Sequence, residues 1–391
     1  IAGFWIGMGI LTKGQVAYLI VCICFFVYWI YERFRFYVTV SQFLFFTLSA
    51  AAVMLTWYGL ETWQNGPEFI IEFNKYQYRL FSTPDAGHKG FPGYHFAILL
   101  VGCFPASIFT IRAFRNLPPP EHAFQQDFIR WMKILFWVVL ILFSVVQSKI
   151  VHYSSMCYYP LTFLSAYVIH QIWKGKIEFH PGLKIALISI GLFFTVAIFG
   201  FSALAQQPET LKTILTNPFA HAALEAEASW TGWEFILGFL WLGVLFIAFR
   251  LLRTRNAWPG WVSLFGGTAL IVFIGLSFFI RNIEAYSQRA AIEWFESKVG
   301  EDAYIIPMGY RTYGHLFYSK RQPPENPKAW DNTWLFWKDI DKDVYIVTKV
   351  HKAGPFREIP GFEVIEEKNG FVFLKRPKSH RNAFIEDEER Q

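Results

Sequence analysis

The sequence predicts a polytopic α-helical membrane protein that ends in a small α/β domain. Three observations carry this expectation. Of 391 residues, 54% are hydrophobic and 20% aromatic while only 17% are charged, and the mean hydropathy is +0.29; one soluble core of this size needs far less apolar surface. The 43 Phe and 16 Trp gather in runs of about 16 to 21 apolar residues, the length that crosses roughly 30 Å of hydrocarbon as a helix. After residue 283 these runs stop, and charge and short alternating segments return.

In order, the apolar runs predict spans at 1–12, 14–31, 42–60, 94–112, 129–147, 157–173, 184–204, 235–250 and 260–280, about nine helices by the length criterion. The chain opens with Ile1 inside an apolar stretch, with no basic segment or cleavage site before it, which leads us to expect upstream sequence. One alternating set of loops carries Arg33, Arg35, Arg112, Arg115, Arg130, Lys133, Lys174, Lys176, Lys184, Arg250, Arg253 and Arg255. The opposite set carries only Lys13, Lys75, Arg79, Lys89, Lys149 and Lys212. The richer set is expected on the cytoplasmic side. The 61–93 loop, the 148–155 turn, the 205–234 loop and everything after Arg281 then face the other way.

Residues 1–283 form the expected transmembrane region, 284–378 the α/β domain and 379–391 a charged tail. Within the α/β domain an amphipathic helix is expected over 287–299, a strand over 303–307, a helix over 313–320 and a strand over 344–350. A hairpin follows over 362–375, turning at Lys368-Asn369-Gly370. The formal charge of +6 is spread over short loops and forms no basic face, which argues against a nucleic-acid partner. Cys22, Cys24, Cys103 and Cys157 lie within or beside apolar runs, so neither a disulfide framework nor a metal knuckle is expected.

Each proposed span lacks Asp and Glu, so chemistry must sit at helix ends or in loops. Lys13, at the turn between the first two spans, can neutralise a lipid phosphate at the bilayer surface, or merely snorkel beside the turn glycine Gly14. The turn Ser148-Lys149-Ile150-Val151-His152-Tyr153, followed by Tyr158 and Tyr159, packs cation, imidazole and hydroxyls together. It reads either as a clamp for phosphate and sugar oxygens or as an interfacial aromatic belt with one charge. The long 61–93 loop holds Glu72, Arg79, Asp85, His88 and Lys89, and His95 stands at the start of the span that follows. Arg79 can fork onto phosphate or pair with Glu72 or Asp85, and His88 and His95 could share a divalent metal ion.

Three segments, in order over residues 1–175, resemble one family. Gly7-Met8-Gly9-Ile10-Leu11-Thr12-Lys13-Gly14 is similar to the GLAxLTKG segment of the protein O-mannosyltransferase and aminoarabinose transferase superfamily. Arg79 to His95 resembles that family's RF…HKxPxYY stretch ahead of GxxPW, here Gly102-Cys103-Phe104-Pro105-Ala106. Ser148-Lys149 through Tyr153 resembles the opening of SKxxxYxxP, although Met156 holds the proline's place and the first proline is Pro160. The 313–320 run looks like the carboxy-terminal domain of Bacteroidota members.

The resemblance implies a GT-C fold in the bacterial inner membrane and inverting transfer of a sugar from a polyprenyl-phosphate donor to a lipid or protein acceptor. The carboxy-terminal domain would be periplasmic. The resemblance also implies a donor-phosphate or cavity role for Lys13, Arg79, His88, Lys149 and Tyr153, with His152 beside them as a residue of the same turn. The acceptor-activating aspartate belongs to a loop upstream of residue 1, so the chain alone would bind without turnover. Ala106, Gly93 and His95 depart from the family pattern and leave the sugar and any metal open. A transporter or flippase of lipid-linked sugars is the alternative from another class, with Pro105 as the clear breaker inside a span. A scaffold displaying the final domain would leave the clustered Lys, His and Tyr unexplained.

Overall fold

The computed structural model describes residues 1–84, 90–120, 122–254 and 256–378. Asp85, His88, Lys89, Arg255 and the 379–391 tail lie outside the described residues. Two compact units are present: residues 1–192 with 248–265, and residues 193–247 with 266–391.

Eight of the nine expected spans each coincide with one helix. The first unit begins with α1 (Ala2–Lys13), α2 (Val16–Tyr31) and α3 (Val40–Asn65). Gly3 and Gly7 let α1 approach the backbone of α3: a Cβ on Gly7 would lie 2.5 Å from the Cβ of Val53 and 2.8 Å from the carbonyl of Ala50. Small residues one turn apart are the usual means of close helix approach in lipid. Next comes α4 (Glu68–Ser82), then α5 (Tyr94–Gly102) and α6 (Ala106–Ala113), α7 (Ala123–Val145), a 3-10 turn at Val151–Cys157 and α8 (Tyr158–Trp173). Ile20, Cys24, Leu99, Val139, Cys157 and Leu161 form the core among α2, α5, α7 and α8. Thr110 donates to the Leu161 carbonyl at 2.8 Å, and Tyr28 stacks on Trp131 with centroids 4.5 Å apart.

Two expectations need correction. The span at 94–112 is broken: α5 and α6 meet at a 118° bend, where Pro105 has no N–H to continue a helix. The 61–93 segment is largely helical, because α3 runs on to Asn65 and α4 occupies most of the rest. Ile70, Phe73, Gln77 and Leu80, spaced three, four and three residues apart, form the inward face of α4, while Glu68, Glu72, Lys75 and Arg79 are exposed. That is a helical period, and the charged outer face masked it.

The remaining long helices are α9 (Pro181–Ala205), α12 (Glu234–Leu251) and α13 (Trp258–Ser287), with short α10 (Pro208–Ile214) and α11 (Pro218–Ala223) where a plain loop was expected. Among the described residues five helices are long and apolar enough to cross a membrane, and the bent pair makes a sixth. The remaining expected spans, α1, α2 and α8, are 12, 16 and 16 residues long. Phe45 is 75% exposed, Phe246 72% and Phe273 70%. Apolar rings on this scale belong against lipid tails, since water would drive them together.

In the second unit α13 leads into α14 (Arg289–Ser297) and a sheet of β1 (Ala303–Pro307), β2 (Asp343–Lys349), β3 (Glu363–Lys368) and β4 (Phe371–Arg376). The order is β1-β2-β4-β3, with β1 parallel to β2 and the other pairs antiparallel. Asn369 and Gly370 take φ of 47° and 85°, as a two-residue hairpin turn requires. Trp294 of α14 stacks on Phe373 at 4.7 Å. The opposite face packs Leu335 and Phe336 against Ile346 and Leu374. The α15 helix (Gly314–Tyr318) corresponds to the helix expected at 313–320, whereas α16 (Asn332–Trp337) and α17 (Gly354–Arg357) were not foreseen. Arg376 is fully buried and donates to the carbonyls of Leu335 and Lys338.

Candidate active site at the turns joined by helix α4

α4 gathers two turns that are far apart in sequence. At its middle Phe73 lies over Gly14, where an added Cβ would stand 2.9 Å from the ring Cζ. Asn74 accepts from the Gln15 amide at 2.9 Å. At its carboxy end the carbonyls of Leu80, Phe81 and Thr83 accept from Ser148 N (3.3 Å), Gln147 N (3.1 Å) and Ser148 Oγ (2.8 Å). Seven residues separate Phe73 from Leu80, about 10 Å of helix at 1.5 Å per residue. The α1–α2 turn and the α7–α8 turn therefore lie at one end of this unit, bridged by an amphipathic helix.

Each expected site residue then has a place. Lys13 is exposed in the last turn of α1. Arg79 is exposed in the last turn of α4, its Cζ 5.2 Å above the Tyr76 ring. Glu72, considered above as a partner for Arg79, pairs with Lys75 at 2.7 Å. His152 is exposed and Tyr153 half-buried on the 3-10 turn, their rings edge to face at 5.2 Å, and Tyr153 lies against Phe143 at 5.5 Å. Lys13, Arg79, His152 and Tyr153 thus share the bridged end of the unit. His88 lies outside the described residues.

Lys149 is placed differently. It is 6% exposed, and its Nζ donates to the carbonyls of Ser144 and Val146 at 2.6 Å and Phe143 at 3.2 Å. These are among the last carbonyls of α7, which have no helical donor of their own. Burial pushes its ammonium pKa down, whereas the negative end of the helix dipole favours the charge. Gly90 covers the side-chain stem so closely that a Cβ there would lie 2.8 Å from Lys149 Cγ.

Sequence reasoning passed over Ser154 and treated His95 only as a metal ligand. His95 is fully buried, with Nδ1 3.1 Å from Ser154 Oγ, and Nε2 has no partner among the described residues. Among the described residues no three His, Cys, Asp or Glu side chains group as a metal site. Beside the α1–α2 turn a cavity of about 370 Å³ opens between α3 and α4, lined mainly by Met54, Leu55, Tyr58, Trp63, Ile70 and Phe73. Its walls are mainly apolar.

The multi-pass helical unit with the bent α5–α6 pair and an amphipathic helix lying across two turns, followed by a small mixed-sheet domain, has the GT-C fold by its likeness to solved structures. Two solved structures with this fold are similar to the chain. ArnT from Cupriavidus metallidurans bound to undecaprenyl phosphate superposes with a TM-score of 0.65 at 16% identity, over 96% of this chain and 68% of ArnT. The apo structure of the same ArnT gives 0.62 at 15% identity over the same shares. No family model matches the sequence, and no curated protein matches it.

Proposed function

We propose that the protein is a membrane glycosyltransferase of the GT-C type that takes a sugar from a polyprenyl-phosphate donor to a lipid or protein acceptor, on the periplasmic side of a bacterial inner membrane. The observation that carries this reading is the bridge made by α4, which brings Lys13 and Arg79 to the same end as the His152–Tyr153 turn. A sugar leaves a phosphate readily once cations neutralise the charge that develops there. Two exposed cations at the same end as a turn of imidazole and phenol meet that requirement, and the apolar cavity beside the α1–α2 turn suits an isoprenoid chain. ArnT, solved with undecaprenyl phosphate on the same fold, supports the same class of ligand. In this reading Lys13 and Arg79 hold the phosphate of the donor.

The test is binding. The chain in nanodiscs is expected to bind undecaprenyl phosphate, and Lys13→Met and Arg79→Met are each expected to weaken binding about tenfold, the size of one charge-assisted contact. Unchanged affinity in both variants would sink the assignment.

The 118° break between α5 and α6 favours one second reading, a transporter of lipid-linked sugars, since such proteins interrupt helices near the bilayer middle. Movement of a labelled lipid-linked sugar across proteoliposomes, without release of polyprenyl phosphate, would select it.

A further inference from the structure

We infer that Lys149 is a positioning residue, which ties down the end of α7 and thereby sets the turn that presents His152 and Tyr153 to the donor. This rests on the functional reading above and assigns Lys149 a different task from Lys13 and Arg79. Lys13 and Arg79 lie in the last turns of α1 and α4, and the Lys149 ammonium sits on the carbonyls at the end of α7, so the dipole alone would favour all three. Exposure separates them.

Lys13 and Arg79 are exposed and can reach a ligand. Lys149 has three N–H groups and three carbonyl acceptors within 3.2 Å, so its donors are already used. To touch a phosphate it would have to abandon the Phe143, Ser144 and Val146 carbonyls at a buried helix end, and leaving such groups unpaired is costly. Its neighbours are engaged in the same way. Ser148, one residue before, caps the end of α4 through its N–H and hydroxyl. Ser154, five residues after, meets the buried His95. The short segment between them carries His152 and Tyr153 and is held at both ends by buried polar contacts.

Three measurements on the chain in nanodiscs, with undecaprenyl phosphate as probe, test the assignment. With an amine-reactive reagent, Lys149 should stay unmodified with or without the lipid, while Lys13 reacts and is protected by it. Lys149→Met should raise hydrogen exchange across 147–157, which Lys13→Met should leave alone. Lys149→Met should weaken lipid binding about tenfold in the wild-type background and less than about twofold in Tyr153→Phe, because a residue acting through a neighbour is not additive with it. Ready modification of Lys149 that the lipid blocks, or an equal loss in both backgrounds, would overturn the inference in favour of direct phosphate contact. Failure of the wild-type chain to bind undecaprenyl phosphate would instead overturn the functional reading. In that case an unchanged exchange pattern in Lys149→Met would still refute the positioning role, and a raised one would uphold it.

Discussion

His315 shows how one side chain can link the carboxy-terminal domain to pH. Its ring is largely buried and lies 6.3 Å from Phe295. Burial lowers its pKa; a hydrogen bond to the Thr312 backbone opposes the shift and Arg321 nearby adds to it. The unfolded chain therefore takes up the proton first, at about pH 6.5. The stabilisation is complete above that pH and is lost as pH falls from there through the lower folded value. Asp343, which pairs with Lys375 at 2.8 Å, and Glu301 are also shifted downward; their contributions are lost only at more acidic pH, below the ordinary carboxylate value of about 4. Thermal unfolding of the solubilised chain should lose melting temperature between about pH 7 and pH 5.5. His315→Phe should flatten that limb while leaving the more acidic one. An unaltered slope in the variant would refute the account.

At the scale of elements the close helix approaches matter most. Gly14 has φ 76° and ψ −169°, a region open essentially to glycine alone, and Phe73 of α4 fills the space above it. Gly14→Ala should cost about 1–3 kcal/mol from the backbone and push α4 off the turn. Limited proteolysis between residues 66 and 93 would report this, and wild-type protection of that segment would refute it. Gly7→Leu should separate α1 from α3, since even a Cβ there collides with Val53 and Ala50. A pair of cysteines placed across that contact should stop cross-linking in the variant. The family-like glycine segment was legible in the sequence, and the structure shows that Gly7 serves packing within it while Lys13 stands at its exposed end. The period of α4 was legible too, in Ile70, Phe73, Gln77 and Leu80, its least exposed positions, but its Glu, Lys and Arg made a loop the simpler reading. Nothing local to the sequence revealed the partners of Lys149, because its acceptors are backbone carbonyls that exist only once α7 has ended.

At the scale of the molecule, likeness to ArnT at 15–16% identity means that the fold has been kept with few of the same side chains. That outcome follows from lipid as solvent: almost any apolar residue suits a helix surface facing hydrocarbon, and backbone hydrogen bonds are satisfied within each helix whatever the side chains are. The α/β domain follows stricter rules. Its hairpin, its strand order and the buried Arg376 depend on particular residues, and its strands were correspondingly sharp in the sequence.

The sequence by itself determined where the long apolar helices and the strands lie and which residues bear charge, since run length, alternation and turn residues are local properties of a chain. Tertiary structure alone decided that α5 and α6 bend apart, that α4 bridges the turns at Gly14 and Ser148, and that Lys149 points inward while Lys13 and Arg79 stay exposed. Those outcomes depend on which carbonyls and rings are brought near by folding, and residues up to about 65 apart in the chain, such as Thr83 and Ser148, carry no mutual signal until they meet.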